Sequence, residues 1–370
     1  MKILVLYASF GSGHKRAAEA VVEAFHDRSI AAESRDLLDF LPRPVSQFYS
    51  SAYDFMITKG RTLWRLTYDL VNAPKRPYTP ATAITQRWQF SRLKEFLQHF
   101  DFTHAVCTHF TPLALLTDWR KMGELKCKIF SIITDHESHR CWKRTGLDHY
   151  FVASPEVASE MKAIGIAEKD ITISGIPISR TFSEQPSLEK TRQACNLPEQ
   201  GMLALVLCSA VTPQKSVQML EEFATVGEQL RYLVVAGSDS AREKVLRNRF
   251  GKDERFLIYG FTHQIAELMK SCDLIITKPG GLIVSEALAA RLPQLLLEPI
   301  PGQEEANARY AINHGAAIGL VEKKGAYAQT LKEILRTPSR LKEMSEAAGR
   351  AARPHAAEDI AEMILSKFVV

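Results

Sequence analysis

Two glycine turns, one in each half of the chain, constrain the fold more than any other feature. The first, Gly11-Ser12-Gly13-His14, directly follows the apolar run Ile3-Leu4-Val5-Leu6-Tyr7. The second, Pro279-Gly280-Gly281, directly follows Leu274-Ile275-Ile276. Each reads as a buried strand, a tight turn and a helix. Glycine lets backbone approach a ligand closely, and a helix N-terminus presents unpaired N–H groups and a positive dipole to an anion. Two such turns predict a two-domain enzyme with its active site in a cleft between the halves.

The pattern around the turns is a βαβ alternation. Apolar runs at 2–8, 104–108, 128–133, 149–153 and 171–177 predict strands of the first half. Helices are predicted at 14–27, 82–99, 112–122 and 155–164, with 42–80 irregular. Runs at 203–208, 231–236, 255–259, 273–276, 294–297 and 317–320 predict strands of the second half, separated by helical stretches. Alternation of this kind implies parallel sheets covered by helices, hence two Rossmann-like doubly wound α/β domains. Ligands of such sheets sit beyond the carboxyl ends of the strands, where both glycine turns fall. The 370 residues suit two domains better than one. The expected boundaries are an N-terminal domain at 1–177, a linker at 178–200, a C-terminal domain at 201–352, and a last helix at 353–370 able to pack back on the N-terminal domain.

Composition narrows the class. Hydrophobic residues make up 46% of the chain, as in ordinary globular proteins. No stretch approaches the ~20 apolar residues of a membrane span, and the N-terminal apolar run is too short for a secretory signal. The six cysteines are scattered without a C-x-x-C pair, which fits reduced thiols rather than disulfides or a zinc site. The net charge of +5 is unevenly spread. The stretch 43–95 carries +6 and nine aromatic residues, so the remainder is close to neutral. Basic and aromatic residues together suit an anionic membrane surface or nucleic acid; the ordinary alternative is buried rings with solvated charges.

The candidate site residues follow from position. His14 at a helix start is disfavoured as imidazolium, so it stays neutral and can accept a proton. Thr134-Asp135-His136-Glu137-Ser138-His139-Arg140-Cys141-Trp142 gathers titratable groups at a strand end. Asp135 there suits the role of orienting a base. His136, Glu137 and His139 read as non-ligands rather than a metal site. In the second half, Lys278, Pro279, Gly280 and Gly281 suit a diphosphate held without a divalent ion. Glu286, in the helix they open, could meet ribose hydroxyls. The amide and carboxylates of Gln303-Glu304-Glu305 could bind sugar hydroxyls; alternatively, they complement the helix dipole.

Together the motifs S-F-G-S-G-H-K-R-A-A (9–18), T-D-x-x-x-H-x-x-W (134–142), Y-F-V-A-S (150–154), G-I-P (175–177), T-K-P-G-G-L-x-V-S-E-A-L (277–288) and P-G-Q-E-x-x-N (301–307) resemble one family. It is that of the monogalactosyldiacylglycerol synthases and processive diacylglycerol glucosyltransferases, within glycosyltransferase family 28. The resemblance runs from Leu4 to about Gly315. It implies the GT-B architecture and an inverting transfer of a hexose from a UDP-sugar to a membrane lipid, diacylglycerol in the first instance. It implies no cofactor and no metal, and a cytoplasmic enzyme peripheral on the inner face of the cell membrane, docked through 43–95. By the resemblance, Glu286 binds ribose, Gly280 and Gly281 the diphosphate, Gln303 and Glu304 the donor sugar, and Gly260 and Phe261 flank uracil. His14 is the base or part of the acceptor site, with Asp135 as the other catalytic residue. Gly11, Gly13, His139 and Trp142 line the acceptor side.

One departure stands out. Relatives carry a glycine-rich turn after the first strand of the second domain, where this chain has Cys208-Ser209-Ala210-Val211-Thr212. Ser209 and Thr212 hydroxyls would then stand in for backbone N–H groups as donor contacts. Two other readings compete. A UDP-sugar epimerase or hydrolase of the same architecture would turn over the nucleotide sugar without lipid. A nucleic-acid-binding protein would use the basic stretch but leaves 277–307 without a role, so no nucleic-acid partner is expected.

Overall fold

The computed structural model describes residues 1–58, 90–184 and 186–368. The chain forms two compact units: Met1–Arg180 with Pro301–Gln303 and Arg353–Val370, and Thr181–Ile300 with Glu304–Ala352.

The first unit runs β1 (Lys2–Tyr7), α1 (Gly13–His26), β2 (Ala31–Asp36), α2 (Arg43–Thr58), α3 (Ser91–His99), β3 (His104–Cys107), α4 (Phe110–Lys121), β4 (Lys128–Ile132), β5 (His149–Val152), α5 (Pro155–Ala163) and β6 (Ile171–Ile173). Its six strands are ordered β2-β1-β3-β4-β5-β6. All pairs are parallel, with Val5 beside both Ser34 and Val106. Buried on both faces, the strands are near-continuous apolar runs, as parallel sheets require. The order reverses between β1 and β3, which opens a crevice at their carboxyl ends.

The second unit runs α6 (Leu188–Ala194), β7 (Met202–Leu207), α7 (Pro213–Phe223), β8 (Leu230–Val235), α8 (Ser240–Phe250), β9 (Phe256–Tyr259), α9 (Ile265–Lys270), β10 (Leu274–Thr277), α10 (Gly281–Ala289), β11 (Gln294–Leu296), α11 (Gln303–Asn313), β12 (Ala317–Gly319), α12 (Ala326–Arg336) and α13 (Pro338–Ala351). Its sheet is ordered β12-β11-β10-β7-β8-β9, again wholly parallel. The reversal here lies between β7 and β10. The last helix, α14 (Ala356–Lys367), belongs to the first unit.

Each unit has its own core. In the first, Ile3, Val5, Phe25, Phe130 and Phe151 pack with Ile360, Ala361 and Ile364 of α14. In the second, Val206, Tyr232, Val234, Ile276 and Leu295 pack under α7 and α12, with Tyr232 stacked between Phe223 and Phe256.

Three elements depart from the sequence expectation. β2 (AAESRD) has no apolar period, because it is an edge strand that pairs only with β1 and is mostly half-buried. α2 occupies the first part of the stretch expected to be irregular; its Pro44 lies in the first helical turn, where no N–H is needed. The helix expected at 82–99 is described from Ser91; residues 82–89 lie outside the described residues, as does most of the basic stretch 43–95. α6 lies inside the span expected as a linker and is tied to the second unit. Arg192, 3% exposed, donates to the Ser271 carbonyl at 3.0 Å and pairs with Asp273 at 2.8 Å.

The apolar seam between α14 and α1 makes a direct test. Ile360 is fully buried, so Ile360→Ala removes core contacts and leaves a cavity worth about 2–5 kcal/mol. Urea unfolding of the full chain should show the loss in the transition of the first unit. A shift under about 0.5 kcal/mol, the size of an ordinary surface substitution, would mean that α14 contributes no core.

Candidate active site

The first unit builds its site at the β1–β3 reversal. Gly11, at φ +86°, turns the chain out of β1 in a conformation that L side chains rarely adopt. α1 then starts without a side-chain cap. His14 in its first turn is half-buried, and its Nδ1 lies 2.8 Å from the Thr108 carbonyl beyond β3 and 3.0 Å from Thr134 Oγ1 beyond β4. A carbonyl only accepts, so Nδ1 carries the proton and Nε2 of the neutral ring keeps a lone pair. Thr108 Oγ1 donates back to the His14 carbonyl at 3.0 Å. Burial is the main force lowering the His14 pKa, opposed by the charge of Asp135 and by the Thr108 carbonyl. Sequence reasoning assigned the neutral state to the helix dipole; desolvation dominates instead.

A second histidine, not singled out from sequence, completes the cluster. His109 caps α4: its Nδ1 accepts from the Thr111 N–H at 3.1 Å. Its ring meets His14 edge to face at 4.7 Å between centroids and stacks on Phe110 at 4.2 Å. Burial first, then the proximity of His14 and His139, hold it well below its ordinary pKa. Its signal was its place at the start of a helix, the same one that marked His14.

The loop 134–142 is held from outside. Glu160 of α5 accepts from the Ser138 N–H at 2.7 Å. The Tyr150 hydroxyl donates to the Trp142 carbonyl at 2.9 Å and accepts from the Arg144 N–H at 2.9 Å. Trp142, assigned to the acceptor side, is 1% exposed; it backs His139 and Phe110 rather than lining a surface. His139 is likewise buried, and burial with the nearby His14 pushes its pKa down to about 4. Asp135 is half-buried. Gln303, which belongs to the first unit, donates from Nε2 to Asp135 Oδ2 at 3.2 Å.

The second unit builds its site at the β7–β10 reversal. Gly280 is the N-cap of α10, in extended backbone, with no side-chain cap over the first-turn N–H groups. Glu286, two turns in, is 1% exposed. Lys278 is mostly buried, with Nζ 3.5 Å from Glu304 Oε2; that same oxygen accepts from the Ile300 N–H at 2.6 Å. The cation expected for a diphosphate therefore has a carboxylate partner here. Gly260 follows β9, and the Phe261 ring beside it is 64% exposed.

The departure at 208–212 has a structural counterpart. Ser209 packs against Gly237, at φ +79°, where an added Cβ would come within 2.7 Å of Ser209 Cβ. Arg242 donates to the Ala236 carbonyl at 2.9 Å and the Val211 carbonyl at 3.1 Å, tying the turns after β8 and β7 together. Ser209 stays exposed. Thr212 is the N-cap of α7 and accepts from the Lys215 N–H at 3.3 Å, so its hydroxyl serves the helix end. Among the described residues no group of three His, Cys, Asp or Glu side chains is placed to hold a metal ion.

His139 sets a pH dependence. Unfolded, it takes up a proton below pH about 6.5; folded, it does so only near pH 4. Its contribution is full above pH about 6.5 and is lost as pH falls towards 4, an upper limit of roughly 3 kcal/mol. The unfolding midpoint should fall over that window, and fall less in His139→Phe. Equal slopes in the two proteins would remove His139 as the cause.

Comparison with known proteins agrees with the fold. Residues 14–178 match the model of the monogalactosyldiacylglycerol (MGDG) synthase family, and residues 202–362 that of the glycosyltransferase family 28 C-terminal domain. A processive diacylglycerol beta-glucosyltransferase of Bacillus cytotoxicus is 30% identical, over 99% of this chain and 94% of the relative. The enzyme of that name from Bacillus cereus strain AH187 is 29% identical over the same shares. Among solved structures, the S. aureus MnaA–UDP co-structure superposes with a TM-score of 0.66 at 13% identity, covering 98% of this chain and 96% of that one. Acinetobacter baumannii MurG gives 0.62 at 14% identity, over 99% of both chains. These likenesses show the shared fold, the GT-B architecture. With its motifs, its two parallel sheets and its end-to-end similarity to these enzymes, the chain is a glycosyltransferase and belongs to the family of monogalactosyldiacylglycerol synthases and processive diacylglycerol glucosyltransferases.

Proposed function

We propose that the chain transfers a hexose from a UDP-sugar to the hydroxyl of a membrane lipid, diacylglycerol, by a single inverting displacement. The observation that carries this reading is the end-to-end similarity to processive diacylglycerol beta-glucosyltransferases. The side chains supply the chemistry. The acceptor oxygen attacks the anomeric carbon, and His14 Nε2 takes its proton. The bond from that carbon to the diphosphate breaks, and its electrons leave with UDP. Negative charge then grows on the diphosphate, which suits the uncapped N–H groups of α10 and Lys278. One displacement turns an α-linked donor into a β-glycoside, in keeping with the relatives' name. Glu286 accepts from the ribose hydroxyls, Gln303 and Glu304 address the donor sugar, and Asp135 acts on the His14 side of the reaction. The diphosphate is held without a metal ion.

The membrane face belongs to the same reading. No helix of the described residues is long and apolar enough to cross a membrane. α2 exposes Phe48 at 70% and Tyr49 at 37%, and the stretch 43–95 that it opens carries +6. Such a face suits docking on an anionic surface, with the enzyme peripheral on the inner side of the cell membrane.

Incubation with labelled UDP-sugars and diacylglycerol vesicles, in excess EDTA, tests the reaction. Labelled glycolipid should enter the organic phase. His14→Ala should cut turnover about 10²–10⁴-fold with UDP affinity little changed. Glu286→Ala should weaken UDP binding by roughly 1.5–3 kcal/mol. Turnover of UDP-sugar without lipid would favour an epimerase or hydrolase, and activity restored only by magnesium or manganese would refute the metal-free mechanism.

Membrane docking has its own measurement. The protein should co-sediment with anionic liposomes, less with neutral ones, and less as salt rises. Replacing Lys59, Arg61, Arg65, Lys75 and Arg76 by Gln should reduce that binding and leave UDP affinity intact. Undiminished binding would place the docking face elsewhere.

A further inference from the structure

Two neighbouring rings of the first unit offer opposite hydrogen-bonding edges. His14 gives its Nδ1–H to the Thr108 carbonyl, so its Nε2 carries a lone pair. His109 is bonded the other way round. Its Nδ1 accepts from the Thr111 N–H at 3.1 Å, so the proton of its neutral ring sits on Nε2. The two rings meet edge to face with 4.7 Å between their centres, so one small head group can address both the base and the donor.

The His109 donor is held in place but not used. The residue is 4% exposed, with its ring stacked on Phe110 at 4.2 Å and tilted against Phe10 at 5.5 Å. Among the described residues nothing accepts from Nε2–H, and the atom is not walled off from solvent. Capping alone does not call for imidazole, because Ser, Thr, Asp and Asn serve a helix start better. Ring packing alone does not either, because Phe would stack as well. What imidazole adds is a fixed N–H, and an N–H so little open to water gains most from an acceptor that a ligand brings.

That acceptor is not the reacting hydroxyl. The hydroxyl oxygen gives its proton to His14 and needs its lone pair for the anomeric carbon. The partner of His109 is instead an oxygen that only accepts and lies close to the hydroxyl in the same molecule. In a diacylglycerol, the carbonyl of the ester on the adjoining carbon meets both conditions.

We propose that His109 is a specificity-determining residue whose Nε2–H donates to an ester carbonyl of the acceptor lipid while the lipid's hydroxyl faces His14. The inference rests on the lipid-acceptor reading and adds to it the group that tells an acyl ester from an alkyl ether.

Transfer of labelled sugar to diacylglycerol and to dialkylglycerol of equal chain length, each in vesicles of the same host lipid, tests it. Both lipids carry the hydroxyl, and only the first carries ester carbonyls. The parent should favour the diacyl lipid in kcat/KM by about tenfold, the scale of one buried hydrogen bond left unmade. His109→Ser keeps a helix cap and His109→Phe keeps a stacked ring, but neither has the N–H. Each should bring the ratio of the two lipids to within about threefold. Loss of the ratio in one folded variant and not in the other would trace it to the cap or to the ring and overturn the inference. Thermal midpoints identify a variant that fails to fold, and the ratio in the other then decides. A parent that uses both lipids equally overturns the inference and leaves the lipid-acceptor reading standing. A parent that glycosylates neither overturns both.

Discussion

The hydrogen bond from His14 Nδ1 to the Thr108 carbonyl, 2.8 Å long, is the contact around which the candidate site of the first unit is arranged. It joins the turn after β1 to the turn after β3, across the reversal of strand order. Because a carbonyl can only accept, it also assigns the ring proton to Nδ1 and leaves Nε2 as the basic atom. A parallel sheet makes this possible. Its strands end together, so residues far apart in sequence come within one hydrogen bond at the carboxyl edge. Around this contact His109 and His139 are buried and held neutral, so the cluster carries little positive charge of its own near neutral pH. His109 contributes shape: fixed by the Thr111 N–H on one side and by Phe110 on the other, it gives the His14 ring an edge to pack against.

The second unit differs in how its helices begin, and the proposed function gives it the donor's anion to receive. α10 begins on glycine with its first N–H groups uncapped, while α7 and α8 begin on Thr212 and Asp239, whose side chains satisfy their own helix ends. Of these three helices, the one that follows β10 is the one left open. The neighbouring turn, Cys208-Ser209-Ala210-Val211-Thr212, has no glycine and is shaped by other means. Gly237 makes room for Ser209, and Arg242 ties both turns by their carbonyls. That turn is thus fixed by a serine, a glycine in the turn after β8 and the largely buried Arg242 guanidinium.

Much of this was legible in the sequence. Buried parallel strands are continuous apolar runs, so β1, β3, β4, β7, β8 and β10 announce themselves, and the alternation with helices implies the doubly wound class. Glycine after a strand marks the turns, position at a helix start marks His14, and position at a strand end marks Asp135 and Lys278. β2 escaped because an edge strand paired on one side needs no apolar period. α2 escaped because Pro44 reads as a break unless its place in the first helical turn is known.

What the sequence by itself determined is the fold class, the two glycine turns and the family, because each is written in local periodicity and in short motifs. Only the tertiary structure decided the tautomer of His14, the part played by His109, the burial of Trp142, and the pairing of Lys278 with Glu304. The physical reason is common to all four. Burial and hydrogen-bond partnership are properties of contacts between distant segments, and a side chain's charge state and reach are set by those contacts rather than by its neighbours in the chain.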